Sequence, residues 1–256
     1  MSPGPVIAVV DYGMGNRRSV QKALEHVGAR APVTREPGVL GAAAGLVVPG
    51  VGAFPEGMTR LAELGLDREV RAAARDGRPV LGICLGMQLL FERSHEHTPT
   101  IGLGLIEGEV SPLRAPGLRV PHIGWSDVTL RRASPLTASL PQGGCPFYHV
   151  HSLVARPRHA DDVIATTTYG ERFASIVGHG SVFGVQFHPE KSSRDGLSLL
   201  GAFVAMCAAG PSALGTSAQP ADRRPVAIAS GAAASGAAAS GASASGASAR
   251  LTAAGR

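Results

Sequence analysis

Residues 78–92, RPVLGICLGMQLLFE, constrain the fold more than any other stretch of the chain. A short apolar run at 79–83, suited to a buried strand, leads into Cys84, and a helix-compatible run at 85–91 leaves it. A strand, a sharp turn and a helix packed into so few residues need small side chains at the bend. Gly82 and Gly86 supply them, as G-x-C-x-G. This is the cysteine form of the nucleophile elbow, in which the tight backbone lifts one side chain out of the sheet. The helix after it points its first free N–H groups and positive dipole end at the sulfur, which favours thiolate. Free cysteine is also among the most buried residue types, so this element alone leaves two readings open, a reactive thiol and a packed core residue.

The stretches before the elbow read as strand and helix in alternation. Residues 6–10 form a continuous valine-rich run, as in a strand covered on both faces. DYGMGN (11–16) is the loop after it. Asn16 is placed to cap a helix carrying Val20, Ala23, Leu24 and Val27 on one face, and Gly28 to stop it. Gly13 and Gly15 resemble part of a dinucleotide fingerprint, but Arg18 occupies the third glycine position and no acidic residue clearly ends a second strand, so no nucleotide site is expected here. Residues 31–34 and 45–48 read as further strands. The second closes on Pro49-Gly50-Val51-Gly52, a loop whose N–H groups could turn toward an oxyanion or could simply make a turn. Helices at 57–64 and 66–76 then lead to the elbow. The pattern predicts an α/β fold, a mostly parallel central sheet flanked by helices.

Beyond the elbow helix the character changes. Apolar runs at 108–113, 127–130, 147–154, 163–168, 173–177 and 182–187 are separated by Gly/Pro turns, which predicts antiparallel strands added to the sheet. Residues 197–207 fit one closing helix. The last strand ends in His188-Pro189-Glu190. A histidine and a carboxylate two positions apart can point the same way, and the carboxylate can then orient the ring for proton exchange with a thiol. Alone, H-P-E is more often a turn than a catalytic pair. Together with the elbow it completes a nucleophile, a base and an orienter. His122, His149 and His151 sit near strand ends, where a structural role is the default. His95 and His97 lie in a polar loop.

Composition limits the alternatives. The chain has 256 residues and a net charge of +5, and Arg223, Arg224, Arg250 and Arg256 against Asp222 place +3 of that in the last segment. Residues 210–256 are a low-complexity Ala/Ser/Gly tail, expected to be disordered, leaving 1–209 as one domain. With no Lys/Arg run interleaved with aromatics, no nucleic-acid partner is expected. Cys84, Cys145 and Cys207 are too far apart for zinc spacing and odd in number, against both a metal site and a disulfide framework. No apolar run reaches membrane-spanning length, so no membrane partner is expected and a reducing cytoplasm is the simpler setting.

DYGMGN (11–16), PGVGAF (49–54), GICLGMQLLF (82–91), PHIGW (121–125), VHS (150–152) and GVQFHPEKS (184–192) together resemble the class I glutamine amidotransferases. Among these, the PGVG, DYGMGN and PHIGW segments are similar to the glutaminase subunits of imidazole glycerol phosphate synthases, enzymes of histidine biosynthesis. The resemblance covers about residues 5–208. It implies Cys84 as nucleophile toward glutamine, His188 as proton shuttle and Glu190 as its orienter. It implies an oxyanion hole from the N–H of Leu85 and an N–H of the Val51-Gly52 loop, and glutamine binding by Gly52, Gln88, Glu96 and Ser152. It also implies a heterodimer with a cyclase subunit that uses the ammonia, contacted through Trp125 and Lys191, and no cofactor. Ser126, His149 and Leu153 depart from the family pattern, where asparagine, phenylalanine and tyrosine are usual. Two other functions are weighed against this one: a glutaminase serving a different synthase, and a catalytically silent subunit that only binds its partner. All three triad residues are present, which disfavours the second.

Overall fold

A computed structural model describes residues 4–210 of the chain, and the low-complexity tail lies outside the described residues apart from Gly210. The first half alternates as expected: β1 (Ile7–Val10), α1 (Arg17–His26), β2 (Val33–Thr34), α2 (Pro37–Ala42), β3 (Gly45–Val48), α3 (Phe54–Glu63), α4 (Leu66–Arg75), β4 (Val80–Ile83) and α5 (Leu85–Leu89). The second half is strand-rich: β5 (Phe91–Ser94), β6 (Thr100–Ile101), β7 (Ile106–Pro112), β8 (His122–Leu130), β9 (Cys145–His151), β10 (Leu153–Pro157), β11 (Val163–Tyr169), β12 (Glu171–His179) and β13 (Val182–Val185). The helix α6 (Ser193–Ala209) closes the described part.

Nine strands form one sheet in the order β2-β1-β3-β4-β13-β12-β11-β8-β9. The first five are mutually parallel, and the pairs from β13 to β9 are antiparallel. β4 and β13 are therefore neighbours, with Ile83 opposite Val185. Two segments a hundred residues apart thus end side by side, one running into Cys84 and the other toward His188. A second sheet, β10-β7-β5-β6, packs against the first, with Ile106, Val110 and Ala155 in one core with Val10, Ala174 and Val177.

Strand side chains alternate between two cores. Ile7, Val9, Val47, Leu81 and Ile83 join Leu24 of α1 and Leu199 and Phe203 of α6 on one face of the sheet. Ala8, Val10, Leu46, Val48 and Val80 join Leu40, Phe54, Leu61 and Val70 from α2, α3 and α4 on the other. All four residues of β1, β3, β4 and β13 are buried, which is why these strands read as unbroken apolar runs.

Some sequence expectations are corrected. The elbow helix stops at Leu89 rather than residue 91, because Phe91 enters β5 and pairs with Ile106 of β7. With five residues, α5 offers the cysteine the dipole of little more than one turn. Asn16 stands at the N-cap of α1, but its side chain makes no capping hydrogen bond. Gly28 does end that helix, at φ 96°, with Gly28 N–H donating to Glu25 O and Ala29 N–H to Leu24 O. The closing helix starts at Ser193, and α2 had no sequence signal. Among the described residues no helix is long and apolar enough to cross a membrane.

Candidate active site

Cys84 sits between β4 and α5 with φ 54° and ψ −112°, a conformation that non-glycine residues rarely adopt. The flanking glycines allow the bend. A Cβ on Gly86 would lie 1.8 Å from the carbonyl oxygen of Val48, and one on Gly82 would lie 2.5 Å from that of Gly86. The elbow therefore packs directly on the backbone that leads into Pro49-Gly50-Val51-Gly52. Tyr12 reinforces this contact: its buried hydroxyl donates to Pro49 O at 2.6 Å. Burial first, and then the neighbouring Cys84, push the Tyr12 phenol well above its ordinary range.

His188 lies beside the thiol, at the foot of β13. Its Nδ1 is 3.0 Å from Glu190 Oε1, and both side chains are almost wholly buried. A carboxylate oxygen accepts, so Nδ1 carries the proton and Nε2 is left for the cysteine. Burial opposes a charged ring here. Hydrogen bonding and charge interaction with Cys84 and Glu190 outweigh it and raise His188 to about 9. The H-P-E turn is itself pinned: His188 N–H donates to Tyr148 O, Ser192 Oγ–H donates to His188 O, and Ser192 Oγ accepts from Tyr148 N–H. The serine of the HPEKS motif thus ties the histidine to β9.

A cavity of about 270 Å³ opens in front of the thiol. Cys84, Leu85 and His188 line it, with Val51 and Gly52 on one side and Gln88, Glu96, Ser152 and Lys191 around the remainder. Glu190 stands behind His188. Of the residues singled out in the sequence, only Trp125 lies elsewhere, 53% exposed on the outer face of β8. A roomier cleft of about 630 Å³ beside Pro135 and Leu140 is lined by no cysteine, histidine or carboxylate.

Several polar contacts organise this cavity. Glu96 Oε2 accepts from Phe54 N–H at 2.6 Å, fixing the start of α3 just beyond the Val51-Gly52 loop. Gln88 Nε2 donates to Leu153 O at 3.3 Å and to Gln186 Oε1 at 3.1 Å. Gln186 Nε2 in turn lies 3.9 Å from Cys84 Sγ, directing an N–H at the sulfur. Gln186 was missed in the sequence reading. Its signal was a lone polar residue within the apolar run VFGVQF, two positions before His188. Cys145 and Cys207 are free and buried, and burial raises them to about 11 and about 12, Cys145 with a smaller contribution from Asp195. In the DYGMGN loop, Asp11 accepts from Gly13 N–H and pairs with Arg17 and Arg35. Burial raises its carboxyl, but these partners more than offset that and hold it low.

Comparisons with known proteins bear on the family and the fold. The family model for glutamine amidotransferase class I matches residues 8–206. The imidazole glycerol phosphate synthase subunit HisH of Moorella thermoacetica is 50% identical over 194 residues, covering 76% of this chain and 91% of that protein. Its counterpart from Symbiobacterium thermophilum is 51% identical over 196 residues, with the same coverage of each chain. Among solved structures, a glutamine amidotransferase superposes with a TM-score of 0.62 at 23% identity, covering 78% of this chain and 98% of the other. PurLQS from Thermotoga maritima gives 0.62 at 21% identity, covering 79% and 98%. These structural matches show the fold. The match over most of the chain to both the family model and the HisH subunits places this chain in the class I glutamine amidotransferase family, among the imidazole glycerol phosphate synthase HisH subunits.

Proposed function

We propose that this chain is the glutaminase subunit of an imidazole glycerol phosphate synthase, acting in the cytoplasm in histidine biosynthesis. The observation that carries the reading is the meeting of Cys84 with the His188–Glu190 pair, 3.0 Å apart, in one cavity of suitable size for an amino acid. In this reading the Cys84 sulfur attacks the side-chain amide carbon of glutamine while the proton between sulfur and ring rests on His188 Nε2, the state that a ring raised to about 9 favours at neutral pH. His188 gives that proton to the amide nitrogen, ammonia leaves, and a γ-glutamyl thioester remains. Water, losing a proton to His188, then opens the thioester to glutamate, and the site returns to its starting state. Glu190 keeps the ring in the tautomer this exchange needs.

The charge that builds on the amide oxygen is held by the N–H of Leu85 and by one from the Val51-Gly52 loop, each such donor being worth roughly 100- to 1,000-fold in rate. Gly52, Gln88, Glu96 and Ser152 hold the glutamine. The ammonia passes to a cyclase subunit, docked through Trp125 and Lys191, which combines it with a ribulosyl aminoimidazole nucleotide. The products are imidazole glycerol phosphate and an aminoimidazole carboxamide ribonucleotide.

The test is glutamate release from glutamine by the chain alone, and then with the cyclase subunit and its nucleotide ligand, with Cys84→Ala as control. Low activity alone, a sharp rise with both additions and none in the variant is the expected result. Activity that depends on Cys84 but ignores the cyclase would mean a different acceptor. Binding without turnover in any mixture would mean a silent subunit.

A further inference from the structure

Behind the glutamine cavity, His122, His149 and His151 form a buried cluster with ring centroids 5.0–5.6 Å apart. His122 and His151 are opposite one another in the β8–β9 register. Tyr169, from β11 on one side of β8, stacks on His122 at 4.0 Å, and His149, from β9 on the other side, stacks at 5.0 Å. Among the described residues no group of three such side chains is arranged to hold a metal ion.

The hydrogen bonds in this cluster run in one direction only. His151 Nδ1 lies 2.9 Å from Leu153 O, and a carbonyl only accepts, so Nδ1 bears the proton. A neutral ring has one N–H, so His151 Nε2 is an acceptor, and His122 Nδ1, 3.1 Å away, donates to it. His122 Nε2 is then an acceptor as well, filled by Ser126 Oγ–H at 2.9 Å. Neutral rings suit the site: burial holds His149 down to about 3 and His151 to about 4, and also lowers His122.

The chain ends on the wall of the cavity. The His151–Leu153 bond closes across Ser152, and the same Leu153 carbonyl accepts from Gln88. We propose that Ser126, His122 and His151 form a one-way hydrogen-bond chain that holds the Ser152–Leu153 wall in register for glutamine, which makes Ser126 and His122 positioning residues for substrate binding. This rests on reading the cavity as a glutamine site. On its outer face β8 shows Ile123 and Trp125, 61% and 53% exposed. Ser126, His149 and the Leu153 position, the three departures from the family pattern, all belong to this array.

Two measurements test it. In the 15N-imidazole-labelled protein at neutral pH, long-range 1H–15N spectra should show His122 and His151 as neutral Nδ1–H tautomers, the minor form of free imidazole. Ser126→Ala should perturb the His122 Nε2 resonance, and Ser126→Thr should leave it in place. An Nε2–H or doubly protonated His122 or His151 overturns the chain. In the complex with the cyclase, Ser126→Ala and His122→Phe should raise KM for glutamine by about 3- to 10-fold, the effect of one lost hydrogen bond, with kcat within about twofold. Ser126→Thr should restore KM. Should His122→Phe not fold, the half-buried Ser126 carries the kinetic test. Loss confined to kcat, or unmoved KM values, overturns the positioning role while wild-type turnover still supports the glutaminase. A wild type that leaves glutamine intact sinks the glutaminase reading and the positioning role together, and the tautomers alone then report whether the chain exists.

Discussion

The hydroxyl of Tyr12 reaches across from the end of β1 to donate to the carbonyl of Pro49 at 2.6 Å, and both residues are buried. Tyr12→Phe leaves that carbonyl without a partner and keeps the ring. A buried acceptor stripped of its donor costs about 1–3 kcal/mol. Denaturant unfolding of Tyr12→Phe should show a midpoint lowered accordingly with an unchanged m-value, and an unmoved midpoint would remove Tyr12 as the anchor of the Pro49-Gly50 backbone.

Glu190 makes one hydrogen bond, to His188, and its other oxygen has no hydrogen-bond partner among the described residues. Glu190→Gln preserves shape but can present an amide N–H to His188 Nδ1, which favours the wrong tautomer. Glutamine turnover in the activated complex should drop about 10²- to 10⁴-fold in kcat, with a much smaller change in KM. A variant that keeps near-normal kcat would remove Glu190 from the proposed triad.

The buried histidines contribute to the acid sensitivity of the fold. His149 is held down to about 3 and His151 to about 4. Unfolded, each takes up a proton near its ordinary value of about 6.5, so the unfolded state binds more protons and stability falls as pH drops below that value. The loss continues until the folded pKa values are reached. His149→Phe, which retains the stacked ring, removes one such site and should gain about 1–2 kcal/mol relative to wild type on going from pH 7.5 to pH 5. Equal pH dependence in both proteins would show that His149 is protonated in the fold.

His188 acts in the opposite sense. Raised to about 9, it binds its proton more tightly folded than unfolded, so its contribution is complete below about 6.5 and is lost as pH rises through about 9. His188→Gln should therefore flatten the decline in stability between pH 7 and pH 10, measured by thermal unfolding across that range.

The three cysteines should differ sharply toward an alkylating agent. All three are buried, but Cys145 and Cys207 are pushed up to about 11 and about 12, whereas Cys84 faces the cavity beside His188. Iodoacetamide at neutral pH should add one group per native chain, at Cys84, as read by peptide mass spectrometry. Labelling of Cys207 in the folded protein would mean that α6 opens from the sheet.

Much of this site was legible because its signals are local. G-x-C-x-G announces a bend that only small flanking residues permit, and continuous apolar runs announce strands covered on both faces. H-P-E places its two functional groups two residues apart, so one turn suffices to join them. What stayed hidden depends on contacts distant in sequence. The end of α5 at Leu89 is set by the pairing of Phe91 with Ile106, and β8 begins at His122, earlier than its apolar pattern suggests, because β9 pairs with it from there onward. Gln186 and Gln88 meet across 98 residues. His122, His149 and His151 looked like separate structural histidines until the β8–β9 register brought them together.

Cys84 holds its place with φ at 54°, a posture that costs a residue bearing a side chain on the order of 1–3 kcal/mol and costs glycine almost nothing. The residue most comfortable at this position is therefore one with no sulfur at all. With Cys84 as the proposed nucleophile, drift toward a more stable protein here runs downhill toward an inert one, and selection for turnover is what would keep the cysteine against that slope.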